Sequence, residues 1–129
     1  MLFLSACGAS GVKVEEQKGA AVKDVNYADC VVSGNVTFDA DQTKVRYTVS
    51  AKHEKDGSIQ GEEDAFQDVK AGEARDFSYD LKELPYTGTL HYGGSKGLGE
   101  LSQEILTEGE VYLTFVDADG NTLAKLKLR

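Results

Sequence analysis

The stretch Tyr27–Phe38, YADCVVSGNVTF, decides the fold class. Every second residue from Ala28 to Phe38 is apolar or small, and the residues between them are mostly polar. An alternation of period two over this length is typical of a β-strand with one face in the core and the other in water. We therefore expect one half-buried strand over residues 27–38, with Cys30 on its buried face as a small apolar side chain.

Segments further along the chain repeat this alternation, with Asp- and Gly-containing turn signals between them. They are Lys44–His53, Ala74–Leu81, Thr87–Tyr92, Glu110–Asp117 and Thr122–Arg129. Ile59–Phe66 carries three consecutive acids and reads as an edge strand kept soluble by charge. We predict an all-β fold, an immunoglobulin-like antiparallel β-sandwich of seven or eight short strands. An apolar stripe predicts one short helix or helical turn near residues 98–107.

Composition narrows the class of protein. The 129 residues include 22 Asp and Glu but only 14 Lys and Arg, for a formal net charge of −8. One domain is expected at this length, and so acidic a chain is a poor match for nucleic acid. No group of His, Cys and carboxylate residues has the spacing of a metal site, so we expect neither a metal nor another cofactor.

The first residues carry the most specific motif. Leu4-Ser5-Ala6-Cys7 resembles the lipobox of bacterial lipoproteins, in which Leu and two small residues precede a cysteine. The resemblance implies that Cys7 carries a lipid anchor and that the protein lies in the cell envelope, on the outer face of a bacterial membrane. The alternatives are a chance match at a frayed N-terminus and a soluble, secreted protein.

The lipobox also divides the chain. Residues 1–6 would be the remnant of a signal peptide that begins further upstream, since only six residues precede Cys7 and none is Lys or Arg. Residues 7–24 would be the lipidated cysteine and a flexible tether, and 25–129 the sandwich. Val12 and Val14 leave open a short first strand that would end the tether earlier.

The net charge predicts how the domain is placed relative to the membrane. Residues 25–129 hold 19 acids and 11 bases, so the whole −8 falls on the predicted domain. We expect this charge to be repelled by anionic headgroups and to keep the domain away from the bilayer.

A weaker resemblance covers residues 30–81. The segments Val32–Val36, Lys55–Gly57 and Val69–Glu73, with Phe77, are similar to the small sandwich domains of bacterial lipoproteins of the FxLYD type. Glu54-Lys55 stands where that type usually has Tyr-Asp. The resemblance implies a surface-exposed, non-catalytic domain of largely unknown role. A protein partner of unknown identity is a separate expectation.

None of the remaining motifs predicts a catalytic site. Gly93-Gly94-Ser95-Lys96-Gly97 matches the G-x-S-x-G nucleophile elbow, but that fold needs a larger parallel sheet and a His after the Ser, whereas His53 and His91 both precede it. We predict no catalytic residue and interpret residues 93–99 as a glycine-rich loop, the binding loop of the secreted-binder alternative. We predict that Asp117–Asn121 forms a hairpin turn, and a weak surface Ca²⁺ site is the alternative.

Overall fold

The computed structural model describes residues 11–91 and 98–129. Within them the chain forms nine strands, one α-helix and one 3₁₀ turn. The strands are β1 (Lys13–Gln17), β2 (Ala20–Ala28), β3 (Val31–Phe38), β4 (Gln42–His53), β5 (Gly57–Val69), β6 (Ala74–Asp80), β7 (Thr87–Leu90), β8 (Glu110–Val116) and β9 (Thr122–Lys127). The 3₁₀ turn covers Leu81–Glu83, and α1 covers Leu98–Glu108.

The strands form two antiparallel sheets. The large sheet has the order β1-β9-β8-β4-β5-β7, and the small sheet has the order β2-β3-β6. Every strand pair in both sheets is antiparallel. The predicted all-β sandwich and the predicted helix near residues 98–107 are therefore confirmed.

Aromatic rings join the two sheets. Phe77 of the small sheet meets Phe115 of the large sheet edge to face, with ring centroids 5.3 Å apart. Tyr79 of the small sheet stacks on Tyr47 of the large sheet at 4.1 Å. Such pairs contribute about 0.5–1.5 kcal/mol each beyond the burial of their area. The inner positions predicted by the alternation in β3, β4, β8 and β9 are the buried core.

The helix covers the part of the large sheet that the small sheet leaves open. Its apolar stripe, Leu101, Ile105 and Leu106, is buried, while Glu100 and Glu108 face water. An 11-residue helix is marginal in isolation, so docking of this stripe stabilises it. In the described part of the chain, no helix has both the length and the apolar character that a membrane crossing requires.

The strand predicted over residues 27–38 is wrong in one respect, because a tight turn divides it. Ala28 pairs with Val31, and the two residues between them, Asp29 and Cys30, have φ angles of +53° and +65°. Two central residues with positive φ are the mark of a type I′ hairpin turn. The turn was hidden from the sequence analysis because no Gly or Asn marks it and the alternation runs on through it.

The predicted tether is also corrected. Residues 13–17 form β1, which pairs with β9, and residues 20–28 form β2, which pairs with β3. Ala20 and Val22 are part of the buried core. The folded domain therefore begins at about residue 13 rather than 25, and the short first strand left open by Val12 and Val14 is present.

The acidic strand is an edge over only part of its length. Residues 57–60 of β5 lie between β4 and β7, whereas residues 61–69 pair with no described strand on the side away from β4. Arg46 of β4 lies 3.2 Å from the carboxylate of Glu62 and 3.8 Å from that of Asp64. The exposed acids of the predicted edge strand are therefore partly neutralised by their neighbouring strand.

Candidate functional site

A polar cleft opens at one end of the sandwich. It has a volume of about 490 Å³ and is lined by four separate segments. Four parts of the chain meet there: the β2–β3 turn, the last turns of α1, Lys82 in the 3₁₀ turn, and Arg129 after β9. A cleft with convergent polar groups is the usual form of a small-molecule site, so this is the candidate site of the described chain.

Tyr27 fixes the helix against the small sheet at the floor of the cleft. Its hydroxyl donates to the carbonyl oxygen of Leu106 at 2.6 Å. That carbonyl belongs to the last turn of α1, where backbone acceptors have no partner within the helix. Burial raises the pKa of Tyr27 well above its ordinary value of 10.0. The hydroxyl is therefore a fixed donor that holds the cleft in shape.

Cys30 lies beside Tyr27 with its thiol in a hydrogen bond. The Sγ atom of Cys30 is 3.5 Å from Oγ1 of Thr107, and that hydroxyl donates its proton to the carbonyl oxygen of Gln103 at 2.7 Å. Because the proton of Thr107 is already in use, the thiol of Cys30 must be the donor. A thiol that is 4% exposed and donates a proton is structural, as the sequence predicted, rather than a nucleophile.

Two cations stand at the rim of the cleft. Nζ of Lys82 donates to the carbonyl oxygen of Asp29 at 3.3 Å and lies 3.8 Å from the carboxylate of Asp80. Nε of Arg129 donates to the carbonyl oxygen of Thr107. Both side chains line the cleft and have more N–H donors than these bonds use, so the rim suits a ligand with a carboxylate or phosphate group.

The two histidines of the sequence lie elsewhere. His53 ends β4, with Nδ1 2.9 Å from a carboxylate oxygen of the buried Asp56 and Nε2 4.0 Å from a carboxylate oxygen of Glu108. It therefore ties the β4–β5 hairpin to the end of α1. His91 is exposed, and its backbone N–H donates to the carbonyl oxygen of Asp56 at 2.9 Å.

The Asp-rich turn between β8 and β9 satisfies its own carboxylate. Asp117 accepts the backbone N–H groups of Asp119 and Asn121, each at 2.9 Å, and the side-chain amide of Asn121 at 3.2 Å. These bonds, the backbone bond from Asn121 foremost, lower the pKa of Asp117 below its ordinary value. The turn is thus closed by hydrogen bonds. Among residues 11–91 and 98–129, no three His, Cys, Asp or Glu side chains converge as metal ligands would.

The predicted site residues of both candidate functions fall outside the described residues. Leu4, Ser5, Ala6 and Cys7 precede residue 11, and the predicted binding loop, Gly93, Gly94, Ser95, Lys96 and Gly97, lies between residues 91 and 98. Comparison with protein-family models, with curated proteins and with solved structures finds no match of any of the three kinds.

No pattern in the sequence predicts the cleft. Its walls come from residues near 28, 82, 105 and 129, which share no local motif. Only the β2–β3 turn, itself hidden by the continued alternation, brings Asp29 and Cys30 to the end of the helix.

Proposed function

We propose that the chain is a lipid-anchored protein of the bacterial envelope whose β-sandwich is a non-catalytic binding domain. The observation that carries the proposal is Leu4-Ser5-Ala6-Cys7, a lipobox that ends six residues before the first strand. A lipid on Cys7 would therefore hold the folded domain close to the membrane surface. The buried, hydrogen-bonded thiol of Cys30 agrees with a chain that has one free cysteine for lipid and one for the core.

The anchor is tested by the mass of the N-terminal peptide. From the membrane fraction of producing cells we expect a mature chain that begins at Cys7 and carries a diacylglyceryl thioether. Cys7→Ala should move the protein out of the membrane fraction, whereas the matched control Cys30→Ala should leave it there. An unmodified Cys7, or a Cys7→Ala variant that stays in the membrane, contradicts the proposal and favours the soluble, secreted binder that uses residues 93–99.

The cleft is the binding surface that we assign to the domain. Lys82 and Arg129 at its rim select for a small ligand with an anionic group, and the cleft of about 490 Å³ is large enough for a small metabolite or a headgroup fragment. The observation that favours this role is that two cationic side chains from distant parts of the chain line one cleft, one bonded to the β2–β3 turn and the other to α1.

Inorganic phosphate is a direct probe of the cleft. Titration of phosphate into the full chain, followed by the amide signals of residues 28–30 and 103–107 in NMR spectra, should give saturable shifts. Lys82→Gln should weaken the binding several-fold, whereas the equivalent change Lys70→Gln, at an exposed lysine beside Asp41, should not. Shifts that are absent, or that are the same in both variants, count against an anion site in the cleft.

A further inference from the structure

Charge is unevenly distributed across the molecule. Residues 11–18 and 122–129, which contain β1 and β9, carry five Lys and Arg but only two Glu. Residues 54–83, which contain β5 and β6, carry ten Asp and Glu but only four Lys and Arg. The net charge of −8 therefore describes neither end of the molecule, and the β1–β9 edge is basic.

Three lysines of that edge share one face. Lys13 of β1 and Lys127 of β9 are cross-strand partners, and Lys125 lies two residues before Lys127. Directly opposed like charges destabilise a strand pair. Within residues 11–91 and 98–129, none of these three ammonium groups has a carboxylate within 4.0 Å, whereas Lys44 and Arg46, two strands away, do.

Tyr112 of β8 lies beside Lys125 and Lys127, on the side away from Lys13. Nζ of Lys125 is 5.0 Å from the centroid of its ring, and Nζ of Lys127 is 6.0 Å from it. The nearest acids are engaged: Glu16, opposite Lys125, is paired with Lys18 at 3.1 Å, and Glu110 lies 3.4 Å from the Tyr112 hydroxyl. We call Lys13, Lys125, Lys127 and Tyr112 the lysine face.

The lysine face is next to the proposed anchor. β1 begins at Lys13, six residues after Cys7, and six fully extended residues reach about 20 Å at most. The tether is therefore too short to hold the domain far from a bilayer. An edge that carries unpaired ammonium groups and an amphipathic aromatic ring complements a surface of anionic headgroups.

We propose that the lysine face rests on anionic phospholipid headgroups and orients the domain on the membrane. This inference depends on the proposed lipid anchor at Cys7. It replaces the expectation that the acidic domain stands away from the membrane. At physiological ionic strength charges are screened over about 8 Å. The acids of β5 lie three strand spacings from β9, about 14 Å, so the bilayer responds to the local lysines rather than to the net charge.

Lysine acetylation on vesicles tests the orientation directly. The full chain is coupled through Cys7 to a maleimide lipid, while the buried Cys30 does not react in the folded protein. Vesicles contain either 40% phosphatidylglycerol in phosphatidylcholine or phosphatidylcholine alone. Acetylation of each lysine under single-hit conditions is then measured by mass spectrometry. Because the anchor is attached chemically in this experiment, a negative result contradicts only the proposal for the lysine face. The natural lipid anchor is tested separately, by the mass of the Cys7 peptide from cells.

The expected result is slower acetylation of Lys13, Lys125 and Lys127 on the anionic vesicles, by about five-fold or more, since each lysine near such a surface gains roughly that factor in binding. The exposed Lys55 and Lys70 should react equally on both vesicles, and 0.5 M NaCl should remove the difference. Equal rates at the lysine face on both vesicles, or equal protection of Lys55 and Lys70, overturn the proposal.

Charge-reversal variants distinguish the effect of the lysine face from the effect of the net charge. Lys125→Glu with Lys127→Glu should abolish the protection of Lys13, whereas Lys55→Glu with Lys70→Glu, which changes the net charge by the same amount, should preserve it. Protection of Lys13 that is lost in both double variants would show that only the net charge matters and would contradict the proposal.

Discussion

The hydroxyl of Tyr27 and the carbonyl oxygen of Leu106 are 2.6 Å apart, in a hydrogen bond between residues 79 positions apart in the chain. The bond joins β2, the first strand of the small sheet, to the last turn of α1. It supplies a partner to a helix carbonyl that has none within the helix. The helix and the two sheets are therefore held together by a polar contact as well as by the apolar core.

Removal of this hydroxyl should destabilise the protein. Tyr27→Phe leaves the Leu106 carbonyl without its donor, and we expect a loss of about 1–2 kcal/mol in the free energy of unfolding. Tyr79→Phe is the matched control, because the buried Tyr79 hydroxyl has no hydrogen-bond partner in the described part of the chain. Urea unfolding followed by circular dichroism should show a lower midpoint for the first variant and an equal or higher midpoint for the second.

Gly34 of β3 leaves room for the aromatic contact between the sheets. A Cβ atom at this position would lie 2.9 Å from Cζ of Phe77 and 3.2 Å from the carbonyl oxygen of Lys23. Gly34→Ala should therefore displace Phe77 and lower the free energy of unfolding by about 1–3 kcal/mol. A thermal unfolding midpoint equal to that of the unchanged protein would show that the sheets can separate to accept the methyl group.

Gly99 provides the opposite case. It is the second residue of α1, and no atom of the described residues would be within 4 Å of an added Cβ. Alanine is favoured over glycine in a helix interior by up to about 1 kcal/mol. Gly99→Ala should therefore raise the thermal midpoint slightly, and the two glycine variants should shift in opposite directions.

Four tyrosines should resist alkaline titration. Burial raises the pKa of Tyr47 to about 12 and those of Tyr27, Tyr79 and Tyr86 further. The neutral phenols favour the folded state, so their contribution is complete below the unfolded pKa near 10 and is lost as the pH rises above it. Absorbance at 295 nm should show that these four of the six tyrosines ionise only together with unfolding. Reversible ionisation of all six near pH 10 would contradict the buried arrangement.

The type I′ turn offers a stabilising change. Asp29 has a φ of +53°, a conformation that costs a non-glycine residue free energy and that glycine adopts freely. Asp29→Gly should raise the free energy of unfolding by about 0.5–1 kcal/mol, since its carboxylate points to solvent at the turn. Asp39→Gly, at a turn residue with negative φ, should lower it instead. If the two variants shift stability equally, the strain at Asp29 is negligible.

The elements that the sequence predicts correctly are those whose pattern of apolar residues is typical of only one kind of secondary structure. The alternation in Lys44–His53 and Glu110–Asp117 places the same side chains inward that the structure buries, and the 98–107 stripe predicts α1. Residues 13–24 were misread because Glu, Lys, Gly and Ala give little alternation. Their strand character comes from distant partners, β9 for β1 and β3 for β2.

The candidate site was less accessible to prediction than the fold. The thiol of Cys30 could be placed on a buried face from the period of the strand, but its acceptor, Thr107, is 77 residues away. The lysine face also depends on residues that are distant in sequence, because Lys13 becomes a neighbour of Lys127 only through the register of the sheet. Pairings of this kind are set by the whole fold and leave no local signal in the sequence.

The pairing of β1 with β9 also constrains how the chain reaches its native state. The first strand of the large sheet can hydrogen-bond only to the last one, more than 100 residues later. This edge of the sheet therefore cannot form until residues 124–127 have been synthesised, and contacts of such sequence separation form slowly. Docking of β1 on β9 is therefore expected to be the last and slowest step in the assembly of the large sheet.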